Sequence, residues 1–229
     1  AMGANVSGAG TDVIKVRGVK EMTGGHYSII PDQIEAGTYM AAVAAAGGEV
    51  LIKNVIPKHL ESISAKLEEM GVEIKEFDES ILVRRNTKLK KTSVKTMPYP
   101  GFPTDMQPQI AVLMSIADGT STLTEGVWDA NRFRYIEQLL RMGAKAQVDG
   151  KIAVIEGVSK LTGAKVESCD LRAGAAMVMA GLVAEGITEL SDVIYIERGY
   201  ENIIDKLRAV GAVIRRIEDD FAPKLRVAL

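Results

Sequence analysis

The chain has 229 residues, 47% of them apolar and 25% charged, with 28 Lys and Arg against 30 Asp and Glu for a formal charge of −2. That is the composition of an ordinary globular protein, with no global field to attract nucleic acid or an anionic membrane. Its longest apolar stretches, such as Ile110 to Ala117, fall far short of the roughly 20 residues needed to span a bilayer. A single cysteine, Cys169, rules out an intrachain disulfide and points to a reducing, cytoplasmic setting.

The signals repeat along the chain. Met2-Gly3-Ala4, Met70-Gly71-Val72, Met142-Gly143-Ala144 and Val210-Gly211-Ala212 each close a helical pattern on a glycine, about 70 residues apart, so one supersecondary unit is copied. The chain thus opens inside a unit, and further protein is expected upstream. Asp32 begins a run of small apolar residues that ends at Gly47, the pattern of a buried helix with an acid at its start and glycine past its end. A β-rich run at Glu49 to Lys53 and a more polar helix follow. The second copy begins at Asp105, ends its first helix at Gly119, and continues through Thr120 to Thr124 to a helix carrying Ile136, Leu139 and Leu140. Strands at Ala144 to Val148 and Ile152 to Ile155 flank the turn Asp149-Gly150. The third copy begins at Asp170, with a helix to Gly186, a strand at Ile187 to Leu190 and a helix around Ile203, Ile204 and Leu207. The unit is read as βαβαββ and the fold class as α/β, with the apolar first helices in a common centre and sheets outside. One pseudo-threefold domain over 1–229 is expected: a partial repeat at 1–30, repeats at about 31–100, 101–165 and 166–220, and a tail at 221–229 that is either a packed strand or loose.

Cations stand where a helix start disfavours them. Lys58-His59, Arg132 and Arg198 are read near the starts of the second helices, and Arg172 lies in the first turn of the third inner helix. A cation there opposes the helix dipole at a cost of about 0.3–1 kcal/mol, so a bound phosphate or carboxylate would explain the pattern. The plainer reading pairs Arg172 with Asp170 and Arg198 with Glu197 on a solvated face. Asp105 follows the stiff segment Tyr99-Pro100-Gly101-Phe102-Pro103-Thr104 and is either a helix cap, a role Thr104 could also fill, or a carboxylate presented to a hydroxyl group. Two histidines, His26 and His59, and one cysteine make a zinc site or a Cys/His nucleophile improbable, and Cys169 is read as a small buried residue. Gly8-Ala9-Gly10 and Gly24-Gly25 are read as turns, matching no nucleotide fingerprint.

Four ordered motifs, Phe102-Pro-Thr-Asp105-Met-Gln107, Asn131-Arg132-Phe133, Asp170-Leu-Arg172-Ala and Ile196-Glu-Arg198-Gly-Tyr200, resemble the C-terminal half of the UDP-N-acetylglucosamine 1-carboxyvinyltransferase family. The likeness runs from Met2 to about Asp219. The related shikimate-pathway enolpyruvyl transferase shares the fold but resembles the Phe-Pro-Thr-Asp segment less closely. The resemblance implies an enolpyruvyl-transferase-like lobe, a place in peptidoglycan precursor synthesis, and transfer of the enolpyruvyl group of phosphoenolpyruvate to the sugar 3-hydroxyl without metal or cofactor. It implies that Asp105 is the general base at that hydroxyl and that the Val127 backbone touches the UDP-sugar. It also implies that Arg132, Arg172 and Arg198 line the phosphoenolpyruvate side, supported by Asp170. The family's N-terminal lobe, with its loop cysteine and a Lys-Asn pair, has no counterpart here, so the isolated chain is expected to be inactive. Two other readings are a free-standing repeat domain that binds an anion or partner, and a module that pairs with itself through the face meant for the other lobe.

Overall fold

A computed structural model of the protein describes residues 2–11, 13–128, 130–217 and 223–228, with the backbone alone at Ala130 and Asn131. Asp129, shortly before the predicted Asn131-Arg132-Phe133 motif, Asp219, where the likeness was expected to end, and Phe221, Ala222 and Leu229 of the predicted tail lie outside the described residues. The chain divides into two units, Ala1–Pro31 and Asp32–Leu229. The first carries an antiparallel hairpin of β1 (Asn5–Ser7) and β2 (Lys15–Arg17), with the predicted turn at Gly8 closed by the Thr11 N–H on the Gly8 carbonyl at 3.1 Å.

In the second unit Asp32 caps α1 (Gln33–Ala46), accepting the Ile34 N–H at 2.7 Å and so satisfying a donor that the first turn leaves free. Gly47 ends the helix at φ 84°, a backbone conformation that side chains with a Cβ rarely adopt. Next come β3 (Gly48–Lys53), a 3-10 turn at Pro57–His59, α2 (Glu61–Glu69), β4 (Glu73–Phe77) and β5 (Ser80–Arg85). The second copy runs through β6 (Ser93–Lys95), a 3-10 turn at Thr104–Met106, α3 (Gln107–Ser115), β7 (Thr120–Thr124), a 3-10 turn at Ala130–Phe133, α4 (Ile136–Arg141), β8 (Lys145–Asp149) and β9 (Ile152–Glu156). The third comprises β10 (Leu161–Thr162), β11 (Lys165–Glu167), α5 (Leu171–Val183), β12 (Ala184–Glu185), β13 (Ile187–Ser191), α6 (Ile194–Glu197), α7 (Ile203–Ala209), β14 (Val213–Ile217) and β15 (Lys224–Ala228).

Three sheets result, in the orders β3-β5-β4, β6-β7-β9-β8 and β11-β13-β15-β14, besides a short parallel pair of β10 and β12. In the two four-stranded sheets the leading strand runs parallel to its neighbour, β6 with β7 and β11 with β13, because an inner helix carries the chain across between them. The remaining pairs are antiparallel, which gives the mixed βαβαββ unit. Part of the stretch the sequence left open as strand or tail is a strand, since β15 lies between β13 and β14 and its Leu225 and Val227 are buried.

Helices α1, α3 and α5 pack on one another at the centre. Met40, Ala44, Ala111, Val112, Ala176 and Met177 are fully buried there, and the small side chains let the helices approach closely. The strands show one buried face: in β9, Ala153 and Ile155 are inward while Ile152 and Val154 are outward. No helix among the described residues is long and apolar enough to cross a membrane.

Candidate active site

The three acids predicted at the inner helix starts do not behave alike. Asp32 and Asp170 cap their helices, Asp170 Oδ1 accepting the N–H groups of Arg172 and Ala173, each at 2.8 Å. Asp105 caps nothing: it sits inside the 3-10 turn Thr104–Met106, and the first residues of α3 receive no side-chain cap. Thr104 does not cap either, because its hydroxyl donates to Glu125. What Asp105 receives instead are two guanidinium groups. Arg132 Nη2 donates to Oδ1 at 2.9 Å and Arg172 Nε to Oδ2 at 3.1 Å. Charge-assisted bonds of this length orient the carboxylate firmly.

Both arginines are themselves fixed. Arg132 Nη2 also reaches the Thr104 carbonyl at 3.4 Å, tying the turn before α4 to the turn before α3. Arg172 places its guanidinium over the Tyr200 ring at 5.5 Å and its Nη1 4.0 Å from Asp32 Oδ2. Burial works against the Arg172 charge, but Tyr200 and Asp105 outweigh it and hold the guanidinium more firmly protonated than usual. Tyr200 in turn belongs to a buried hydrogen-bond triangle that joins all three copies. Thr38 of α1 spends its one O–H on the Ile34 carbonyl at 2.8 Å, so the Tyr200 hydroxyl, 2.9 Å away, is the donor to Thr38 Oγ1. Gln109 of α3 donates to Thr38 at 3.0 Å and to Tyr200 at 3.3 Å.

A residue that the sequence reading missed organises the other edge of the site. Glu125 directly follows β7 and is 1% exposed, yet its carboxylate accepts five hydrogen bonds. Oε1 takes the Thr96 hydroxyl at 2.7 Å and the N–H groups of Val127 at 2.8 Å and Trp128 at 3.0 Å. Oε2 takes the Thr104 hydroxyl and the Gln107 amide, each at 2.9 Å. Burial alone would raise the Glu125 pKa, but the bonds from Thr96, Trp128, Val127 and Thr104 overcome it and hold the carboxyl below its ordinary value. The one available signal was an acid at the end of a strand immediately before a glycine-containing loop. A Cβ at Gly126 would stand 2.2 Å from the Thr96 carbonyl, so only glycine lets the loop lie on the strand end.

Asp105, Arg132 and Arg172 therefore converge, and Val127, 40% exposed, lies on the loop tied to the same Glu125. Asp170 stands next in the wall as the cap of α5, holding the Arg172 backbone and not its guanidinium. Arg198 is exposed at the C-terminal end of α6, so the dipole argument that singled it out does not apply there. It has no ion pair among the described residues, and Glu197 pairs with Arg216 at 2.5 Å. Cys169, read as buried, is half-buried, and burial pushes its thiol up in pKa, away from the reactive thiolate. No group of three or more metal-ligating side chains occurs among the described residues.

Repeated βαβαββ units around three inner helices, with an acid gripped by arginines at one helix start, define an enolpyruvyl-transferase type of lobe. The crystal structure of the enolpyruvyl transferase NikO from Streptomyces tendae superposes with a TM-score of 0.83 at 25% identity, covering 100% of this chain and 52% of that one. EPSP synthase from Acinetobacter baumannii shares the fold at a TM-score of 0.66 and 18% identity, covering 89% of this chain and 46% of its own. The chain belongs to the EPSP synthase (3-phosphoshikimate 1-carboxyvinyltransferase) family, whose model matches residues 1–207. It is 61% identical over 219 residues to UDP-N-acetylglucosamine 1-carboxyvinyltransferase 3 of Caldanaerobacter subterraneus, and 57% identical over 217 residues to UDP-N-acetylglucosamine 1-carboxyvinyltransferase of Clostridium botulinum. Those alignments cover 96% and 95% of this chain but 52% of each relative, so the chain spans about half the length of the curated relatives it matches.

Proposed function

We propose that the chain is one lobe of an enzyme that transfers the enolpyruvyl group of phosphoenolpyruvate to the 3-hydroxyl of UDP-N-acetylglucosamine, a step of peptidoglycan precursor synthesis in the cytoplasm. In this reading 1–229 is a single lobe, a partial repeat at 1–30 followed by three full repeats and a short tail. The observation that carries the reading is Asp105, the one inner-helix acid relieved of capping, gripped by Arg132 and Arg172. The names of the relatives at 57% and 61% identity supply the sugar nucleotide and the carboxyvinyl group it receives, and the resemblance supplies phosphoenolpyruvate as its donor.

The chemistry follows from the charges. Asp105 takes the proton of the sugar hydroxyl as that oxygen bonds to C2 of phosphoenolpyruvate, while C3 gains a proton from an acid that the other lobe would supply. That proton is lost again when the bond from C2 to the phosphate oxygen breaks, which restores the double bond and releases phosphate. Arg132, Arg172 and Arg198 offset the negative charge of the reactant and of the departing phosphate, and the two that are held in place, Arg132 and Arg172, do so without reorganising during the reaction. Asp170 supports Arg172 through its backbone. The Val127 N–H is taken by Glu125, which leaves its carbonyl as the backbone group to meet the sugar nucleotide.

The isolated chain, given UDP-N-acetylglucosamine and phosphoenolpyruvate, is expected to release no phosphate, because it supplies one wall of the cleft. Sustained turnover by the chain alone would overturn the single-lobe reading. Sedimentation at several concentrations tests the accompanying expectation that the face meant for the other lobe lets the chain pair with itself.

A further inference from the structure

We infer that Glu125 is a positioning residue that fixes the separation between the Asp105 turn and the Val127–Trp128 loop, and through it the affinity for a sugar nucleotide. The second half of that statement rests on the function proposed above; the first half does not.

The two oxygens divide their work. Oε2 holds Thr104 and Gln107, which bracket Asp105 in sequence, while Oε1 holds the backbone of Val127 and Trp128 together with Thr96 just past β6. Thr96 reinforces the loop side by accepting the Gly126 N–H at 2.9 Å. The loop is thus pinned from inside through its backbone, while the Trp128 side chain, 58% exposed, and that of Val127 face outward. Both edges of the site hang on one carboxylate, so their spacing is set by the distance between its two oxygens.

The residue type matters as much as the place. An ionised carboxylate only accepts, so each of the five converging N–H and O–H groups meets an oxygen and none meets another donor. A glutamine of the same shape would turn its own N–H₂ toward either the three donors at Oε1 or the two at Oε2. A role in filling space would be served equally by either side chain. Pinning the loop is served by the carboxylate alone.

Amide hydrogen exchange by NMR on this chain tests the assignment without any ligand. In Glu125→Gln, exchange at the Val127 and Trp128 amides is expected to quicken at least tenfold, while Val112 and Leu113 in α3 stay within twofold of the parent. Thr96→Val, which keeps the carboxylate and removes one loop-side donor, is expected to quicken the same two amides by about threefold, and it carries the test if the glutamine variant does not fold. Unchanged exchange at Val127 and Trp128, or a rise matched by the α3 amides, would overturn the assignment. In a parallel titration with UDP-N-acetylglucosamine, the chain being mixed with the separately expressed part of the Caldanaerobacter subterraneus relative that lies outside the match, Glu125→Gln is expected to weaken saturable binding at least tenfold. Equal affinity in parent and variant would overturn the link to the sugar site. A mixture containing the parent chain that takes up no sugar nucleotide would count against the proposed function, and the exchange rates would still decide whether Glu125 pins the loop.

Discussion

Replacing Tyr200 by Phe removes one oxygen from the triangle that ties the three copies together, and its cost can be worked from the contacts. The Tyr200 hydroxyl donates to Thr38 at 2.9 Å and accepts from Gln109 at 3.3 Å, the second bond being long. After the substitution Thr38 Oγ1 still receives the Gln109 amide at 3.0 Å, and the one group newly left bare is the Gln109 N–H that made the long bond. The loss is one good and one weak hydrogen bond, about 1–2 kcal/mol. For a chain of this size that corresponds to a fall of roughly 2–8 °C in Tm by calorimetry. The aromatic ring remains beneath Arg172, so anion binding at the arginines should hardly change. Thr38→Val is expected to cost more, because it leaves the buried Tyr200 hydroxyl and a Gln109 N–H without their shared partner. The double variant should then be less destabilised than the two costs added together, since contacting residues are not independent. A Tm for Tyr200→Phe unchanged within error, or strict additivity of the pair, would show that the triangle does not hold the three copies together as described.

Three other outcomes follow from the same contacts. Because the folded-state pKa of Glu125 lies below its unfolded value of 4.5, its contribution to stability is present above that pH and is lost as pH falls toward the folded value, so acid unfolding below about pH 4.5 should become shallower in Glu125→Gln when followed by circular dichroism. Gly126→Ala drives a Cβ to 2.2 Å from the Thr96 carbonyl and should cost about 1–3 kcal/mol in urea titration as the loop is forced off the strand. Arg172→Lys keeps a charge but loses the planar group that spans Asp105 and the Tyr200 ring, so phosphoenolpyruvate binding should weaken at least tenfold in calorimetry.

Much of the architecture was legible because it rests on local, repeated signals. A glycine after each helical pattern and an acid before each run of small residues announced the three inner helices, and their lack of a polar face placed them at the centre. The place of β15 was less legible: Lys224, Leu225, Arg226 and Val227 alternate as a strand does, but the run is short, lies past the last repeat, and becomes a central strand only through its partners β13 and β14. Asp105, Arg132 and Arg172 were singled out by residue type and position, and the stiff segment and Thr104 before Asp105 set it apart from Asp32, but its release from capping was one of two readings the sequence left open. The choice between the two is made by Arg132 and Arg172, brought to Asp105 from 27 and 67 residues away. Arg198 looked like a cation at a helix start because Ile194–Glu197 was not separated from α7, and it stands at that short helix's end instead. Glu125 was invisible for a related reason: its five donors come from four segments, and an acid after a threonine-rich strand reads as surface.

The central claim is that Asp105, aimed by Arg132 and Arg172, works on one wall of a cleft completed by another lobe. The most direct measurement mixes this chain with the separately expressed part of the Caldanaerobacter subterraneus relative that lies outside the match, adds UDP-N-acetylglucosamine and phosphoenolpyruvate, and follows phosphate release. Release that requires both pieces and falls at least a hundredfold in Asp105→Asn, with the fold intact by circular dichroism, is the predicted result. Phosphate release that proceeds equally with Asp105→Asn would contradict the account.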